Sequence, residues 1–562
     1  MSASPPPPAF ESFRPQPPRE DAIRSAYAGY LAEATTPNAD VGDIVQRWDA
    51  MRRGVQSWAS WVFLRYQQDT RDADRRADRE RGDAAIALLK ELDAGLKRAL
   101  LGAGTRAATE SAVGSTVAAL WGADHRAYDP AVSADLVAEQ KLAADYIALK
   151  ASAEIEFEGR TWSLVTIGKP CVDDDRTRRE AAQRARWGWF DAHRDQLDTI
   201  FDGLVKLRVR QASTLGLSDY TELGYLRMQR VDYDRADVER FRAQVRDHVV
   251  PLVSRLRERQ AERLGIDRVM FWDEGTGDRE GTPLLCGEAG LAQAGQASFD
   301  SLDPDLASFY RMMVGGGWVD LGSRDGKAGG GFCTFMGDVR SPFVYCAGNG
   351  THGDVRTLVH EMGHAFQCWS SRDMPLHDIV FPTYEAAEIH SMGLEFLAWP
   401  ALDVFFGDAT DRWRRNHLEA ALGFLPYGTA VDHFQHLVYA NPDASPADRR
   451  AMWTELEETY LPWREYGDLP HVTVGGYWQF QRHIFARPFY YVDYCLAQTC
   501  ALQLWSKSQE DHAATMATYK TLCGLGGSLP FQALCREAGL QSPLTDGCLA
   551  EVVATAQAWL GV

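Results

Sequence analysis

From about Asp21 onward, apolar side chains return at every third or fourth position with few glycines or prolines between them, the period of helices buried along one side. Residues 44–68, IVQRWDAMRRGVQSWASWVFLRYQQ, show it plainly. The stretch Asp69–Asp83 is nearly all charge of both signs, which predicts a solvated helix face laced with i,i+4 pairs. EIEFEGRTWS, residues 154–163, alternates instead, and predicts a small hairpin inside a helical lobe. Asp173, Asp174 and Asp175 precede a long helical run through Arg210. They lack the spaced ligands, glycine and closing glutamate of a calcium loop, so they read as helix N-capping. Between Gly315 and Gly350 the texture changes to GGGWVD, KAGGGF and SPFVYCAGNG, the last an extended strand ending in a turn. No GK[ST] follows and GxGxxG is absent, which argues against a phosphate cradle. A glycine turn beside a strand that a substrate backbone approaches closely fits better. Beyond Gly350 the helical period resumes to the C-terminus, and no internal repeat is present.

Composition narrows the classes. At 562 residues with 45% apolar content and 17 Trp, the chain has material for a large core in two to four lobes, which excludes a disordered or fibrous protein. A net charge of −19 argues against a nucleic-acid partner, which needs a basic face to replace counterions. No apolar run is long enough to cross a membrane. Residues 1–20 are proline-rich, lack the parts of a secretion signal and read as a mobile leader. A helical N-terminal lobe is expected over 21–200 and a catalytic domain over 201–562. The ten cysteines form no CxxC pair and read as reduced thiols of a cytoplasmic protein.

The candidate chemistry lies in DVRTLVHEMGHAFQCW. On a helix, His360 and His364 return to nearly the same face and can converge on one ion, while Glu361 points beside it, where a water would lie. The motif sits in an apolar helix-forming run, and two histidines and a glutamate in such a run call for a reason to be there. A hydrolytic zinc site needs a third protein ligand. The metzincin spacing is excluded because positions 367 and 370 are Gln367 and Ser370. Downstream, FPTYEAAEIHSMGLEFLAW sets Glu385, Glu388 and Glu395 along one face of a second helix, three acids that repel unless a cation lies opposite. Glu388 is the expected third ligand of one Zn²⁺. Glu385 is expected to accept from a ligand imidazole, and Glu395 to act as another supporting carboxylate. His352 and His390 read as structural or supporting residues.

With these residues in place, the sequence resembles the oligoendopeptidase F and thimet oligopeptidase family of zinc peptidases, nearer the oligoendopeptidase F side. In that family an HExGHA/S helix is followed about 24 residues later by a glutamate ligand, and Glu388 stands at that distance from His364. KAGGGF and SPFVYCAGNGTHGDV are similar to the family's glycine turn and substrate-binding strand, and HIFARPFYYVDYCLAQ to its C-terminal His/Tyr stretch. Similarity in helical texture runs from about residue 45 to the end. The tyrosine spacing after His483 departs from the thimet branch, which leaves the choice among Tyr490, Tyr491 and Tyr494 open.

The resemblance implies a mainly α, two-lobed helical zinc-peptidase fold with a small β-sheet beside a deep active-site cleft that admits short unfolded peptides. Zinc would polarise the scissile carbonyl, Glu361 would move the proton, and neutral donors would stabilise the oxyanion. His483 and Tyr491 are the expected donors, with Tyr494 next; Tyr491 and Tyr494 share a helical face from which Tyr490 points away. SPFVYC is expected to receive the peptide as an added strand. The rival readings are a zinc carboxydipeptidase, which shares HEMGH but expects an HEA-type context around the glutamate, and a non-catalytic peptide-binding homologue, which typically loses a ligand or the base. An aminopeptidase is disfavoured by the missing GxMEN. Peptides are the expected partners; the sequence assigns no oligomeric state.

Overall fold

The structure is a computed structural model that describes residues 6–36, 39–278 and 281–562. Helices dominate, with a two-stranded and a three-stranded sheet among the described residues. None of the described helices is long and apolar enough to cross a membrane. The chain forms two compact units, each assembled from three separate segments. They are not the consecutive pieces 21–200 and 201–562 expected from texture, and a boundary at 200 falls inside the helix Arg194–Thr214. Helical periodicity reports which face is buried, not which distant segment buries it.

The first unit comprises residues 1–125, 282–414 and 500–542. Its long helices Val41–Gln68 and Ala73–Leu100 pack around Tyr27, Trp48, Leu96, Leu100 and Trp121. Asp72 caps the second of these by accepting from Asp74 and Arg75 N–H, and Arg79 pairs with Asp83 one turn on at 2.8 Å, as the charge pattern predicts. Residues 1–5 of the expected mobile leader lie outside the described residues; its remainder is anchored. Phe10 is buried against Trp318 and Phe343, with ring centroids 5.2 and 4.6 Å away, and Trp318 Nε1 donates to Pro8 O at 3.0 Å. Two aromatics, Phe10 and Phe13, are enough to hold the proline-rich segment against the sheet.

Strands β1 (Ile155–Phe157) and β2 (Arg160–Trp162) form the expected hairpin in the second unit. Glu158 and Gly159 both take positive φ, 53° and 71°, the turn that suits strand twist. The sheet of the first unit runs β3 (Val319–Asp320), β5 (Ser341–Cys346), β4 (Gly331–Met336), with β4 antiparallel and β3 parallel to β5. SPFVYC is therefore the central strand, with all six residues buried and β4 paired along its whole length, so it cannot itself receive a peptide. The edges are β3 and the longer β4, neither of which has a second strand partner among the described residues. Lys327 ties the KAGGGF turn down: its ammonium, fully buried, donates to Asp320, to Gly322 O at 2.6 Å and to Cys346 O at 2.6 Å.

The second unit comprises residues 126–281, 415–499 and 543–562. Asp175 caps the helix Arg176–Ala192 by accepting from Thr177 N–H, as expected, and the long run breaks at His193 before Arg194–Thr214. Buried Arg208 spends its guanidinium on Glu139 at 2.6 Å, Tyr439 Oη at 3.0 Å, and the carbonyls of Ile484 and Phe485. It thereby fixes the short helix Arg482–Ala486, which carries His483.

Candidate metal centre and catalytic segment

The motif helix His352–Ser370 starts where the chain leaves β5. Gly350 takes φ 78°, and the buried Asp354 carboxylate accepts from the Asn349 and Gly350 N–H groups at 2.9 and 2.7 Å. Val355, Leu358, Val359, Met362, Ala365 and Phe366 bury the apolar side, while the His360 and His364 side chains stay 25% and 20% exposed, open to a ligand. The second helix, Tyr384–Leu397, carries Glu385, Glu388 and Glu395, all buried.

Gly363 lets the two helices meet. A Cβ there would lie 2.5 Å from His390 O and 2.7 Å from Ser391 Cα, distances no side chain tolerates. This approach brings Glu388 Oε2 to 3.5 Å from both His360 Nε2 and His364 Nε2. The three ligand atoms lie within 4.8 Å of one another. Tetrahedral bonds of about 2.1 Å set neighbouring donor atoms about 3.4 Å apart, so the two-imidazole, one-carboxylate set has the spacing and chemistry for zinc.

The surrounding contacts fix this arrangement. His360 Nδ1–H donates to Glu395 Oε1 at 2.7 Å, which leaves Nε2 as the nitrogen available to a metal. Glu395 thus takes the imidazole-orienting place on His360. Ser391 Oγ donates to Glu388 Oε2 at 3.1 Å and holds the carboxylate in place. Burial opposes a charge on His360, but hydrogen bonds to Glu388 and Glu395 outweigh it and hold the imidazole well above its ordinary range. Burial likewise works against ionised Glu388, yet the His364 and His360 imidazoles pull it well below the carboxylate range. The cluster favours positive charge at its centre, a place a divalent cation can take from protons. Burial pushes Glu361 upward, with the imidazoles opposing and the neighbouring glutamates assisting, which makes it a better base. The start of β4 lies over it: a Cβ on Gly331 would be 3.3 Å from Glu361 Oε1. His352 is exposed at the helix start. His390 is buried with Nδ1–H donating to Ala386 O at 2.9 Å, a structural role.

In the second unit His483, Tyr490, Tyr491 and Tyr494 form one aromatic cluster. Ring centroids lie 5.7, 5.1 and 5.9 Å from His483 to Tyr490, Tyr491 and Tyr494. Tyr491 begins the helix Tyr491–Glu510 and shares a face with Tyr494 at 5.8 Å, as expected, while Tyr490 precedes the helix yet packs 4.9 Å from Tyr494. The turn before it is held from both sides. Phe489 takes φ 64°, its N–H donates to Gln435 Oε1 at 2.8 Å and its carbonyl accepts from Arg230 at 2.5 Å. Arg230 also pairs with Asp493 at 2.7 Å, both side chains fully buried. A non-glycine residue in this region is costly and persists because these partners over-determine it. Gln481 Nε2–H donates to His483 Nδ1 at 2.6 Å, and Tyr427 Oη–H donates to Gln481 Oε1 at 2.9 Å. Burial, then Arg482, Arg487 and Lys150, lowers His483 to about 4, so its imidazole is neutral near pH 7. Burial pushes the Tyr491 phenol far up, which keeps it a donor.

The "Peptidase family M3" profile matches residues 172–275 and 304–554, and the "Peptidase M3 N-terminal domain" profile matches residues 10–128. The chain belongs to peptidase family M3. Comparison with the curated proteins finds no match. Among solved structures, this M3 chain is similar to PZ peptidase A crystallised with an inhibitor, at 37% identity and a TM-score of 0.91 over 98% of this chain and 99% of that one. A structure named as an oligoendopeptidase F is 39% identical, with a TM-score of 0.91 over 98% of both chains. Another so named, from Bacillus anthracis strain Ames, is 34% identical, with a TM-score of 0.86 over 98% of both chains. The mainly helical fold with a small sheet and the metallopeptidase class, both expected from sequence, are those of this family.

Two features of this M3 peptidase lay beyond sequence reasoning. Gln481 meets His483 two residues on, Tyr427 meets Gln481 across 54 residues, and nothing in the local pattern marks either. The edge position of β4 follows from strand order, which alternation cannot reveal. The dense glycines of KAGGGF were the available signal, since Gly331 is where a side chain would strike Thr357 at 2.6 Å.

Proposed function

We propose that this M3 peptidase is a zinc-dependent oligoendopeptidase that hydrolyses internal bonds of short, unfolded peptides, with His360, His364 and Glu388 as the ligands of one zinc ion. The observation that carries the reading is the pair of 3.5 Å separations from Glu388 Oε2 to both imidazole Nε2 atoms, beside a buried Glu361. Zinc, when bound, supplies Lewis-acid polarisation of the scissile carbonyl and a more acidic water. Glu361 accepts the proton of the attacking water and delivers it to the departing amine. His483 and Tyr491, with Tyr494 next, donate to the carbonyl oxygen as it becomes an oxyanion. The peptide backbone adds to the open edge of β4, which gives main-chain affinity with limited side-chain selection. The names of the similar solved structures, PZ peptidase A and oligoendopeptidase F, support the same class. A cytoplasmic location is supported by ten cysteines, none of which forms a disulfide among the described residues.

The test is mass-spectrometric cleavage of end-blocked peptides of mixed length by the wild type and Glu361→Gln. Internal cuts below a length limit, slowed roughly 10²–10⁴-fold in the variant, are expected. Cleavage that requires a free carboxyl terminus would move the assignment to a carboxydipeptidase. Equal rates in the two proteins would sink the reading.

A further inference from the structure

Gln481 is buried one residue before the short helix that carries His483, with its side-chain amide engaged at both ends. An amide nitrogen only donates and an amide oxygen only accepts. The nitrogen lies 2.6 Å from His483 Nδ1, so that ring atom must accept. The oxygen lies 2.9 Å from Tyr427 Oη, whose hydroxyl donates to it and fixes which way the amide points. The backbone around Gln481 is pinned as well: its N–H donates to Trp478 O at 3.0 Å, and its carbonyl accepts from Ile484 N–H at 3.2 Å. An imidazole whose Nδ1 accepts carries its proton on Nε2.

We infer that Gln481 is a positioning residue: with Tyr427 behind it, it fixes His483 in the tautomer whose Nε2–H is the donor. The inference deepens, and rests on, the reading of His483 as an oxyanion donor. A neutral histidine can donate from only one nitrogen, so the donor role needs something to choose it. The groups that face the ring agree with this choice. Tyr490, Tyr491 and Tyr494 surround it with rings, while Arg482, Arg487 and Lys150 oppose a second proton that would clash with the amide hydrogens on Nδ1. Burial holds the Tyr427 phenol protonated, so it remains a donor to the amide oxygen across the working pH range.

The substitution that separates tautomer control from mere packing is Gln481→Glu. A carboxylate accepts from Nδ1–H, draws the proton to that side and leaves a lone pair on Nε2. Loss of one oxyanion donor costs about 10²–10³-fold in kcat. Gln481→Glu is therefore expected to lower kcat at least about tenfold at pH 7.5 with KM within about twofold, and to regain rate toward acid as the imidazolium forms. Gln481→Met, which removes the donor without drawing the proton to Nδ1, is expected to lose only a few-fold. In a His483→Ala background, Gln481→Glu should change kcat by no more than about twofold, because its effect runs through the imidazole. An equal loss in both backgrounds would make Gln481 a packing residue and overturn the inference. Wild-type activity in Gln481→Glu beside a crippled His483→Ala would overturn it too, and would mean Nδ1 carries the proton. Wild-type activity in His483→Ala would instead remove the donor reading beneath it. A readout free of any folding defect is the ¹⁵N spectrum of histidine-labelled wild type, with the His483 signals assigned by difference. Protonated Nε2 and bare Nδ1 are expected, and the reverse pattern refutes the inference.

Discussion

Gly363→Ala adds one methyl group to the motif, and its effect can be worked from the contact it disrupts. The new Cβ would meet His390 O at 2.5 Å and Ser391 Cα at 2.7 Å, both backbone atoms that cannot swing aside. Ordinary contact requires about 3.5 Å, so the two helices must part by roughly 1 Å. Overpacking of this kind costs about 1–3 kcal/mol of stability. The larger consequence is at the proposed metal site. Ser391 Oγ holds Glu388 Oε2 at 3.1 Å, so displacing the Ser391 backbone carries the carboxylate away from the imidazoles. Metal sites tolerate only about 0.2 Å in their bond lengths. Zinc affinity is expected to fall about 10–100-fold, like losses of groups that support ligands, which is about 1.4–2.7 kcal/mol. The assay is zinc competition against a chromophoric chelator, with kcat measured at saturating zinc. Gly393→Ala on the same second helix is the control. Its Cβ would meet Leu504 Cδ1 at 2.9 Å, the end of a flexible side chain, so stability should drop while zinc affinity stays within about twofold. Wild-type zinc affinity and kcat in a folded Gly363→Ala would refute the argument that backbone approach at Gly363 sets the ligand geometry.

Two further outcomes are expected. Glu395→Ala removes the acceptor on His360 Nδ1, and zinc affinity should fall about 10–100-fold in the same chelator assay, with partial recovery in Glu395→Gln. Buried His471 is lowered from 6.5 to about 4 by desolvation first, then by Arg194. The unfolded chain therefore takes up the proton before the folded one does. Stability from this group is full above pH 6.5 and is lost as pH falls toward 4, by about 3 kcal/mol in all. Denaturant unfolding from pH 7 to 4 should show a shallower decline in His471→Asn, a residue that tolerates the local φ of 66°.

Periodicity by itself determined the helical character of the chain and the pairing of His360 with His364, because a turn of 3.6 residues brings positions four apart to one face in any surroundings. It also determined that Glu385, Glu388 and Glu395 share one helix, and that Asp175 caps another. The hairpin Glu154–Ser163 was legible for a similar reason, since its register is set within ten residues. What the sequence left undecided depends on pairings between distant segments. Whether SPFVYC lies at an edge or in the middle is decided by which strands flank it, and β4 and β3 both do. Whether Glu385 or Glu395 meets His360 is decided by how far one helix slides along the other at Gly363. The proline-rich N-terminus reads as unstructured until Trp318 and Phe343, over three hundred residues away, supply a surface for Phe10. Local spacing sets the direction a side chain takes from its own backbone; only the tertiary structure sets what stands opposite it, and the choice of donor nitrogen on His483 belongs wholly to that second kind.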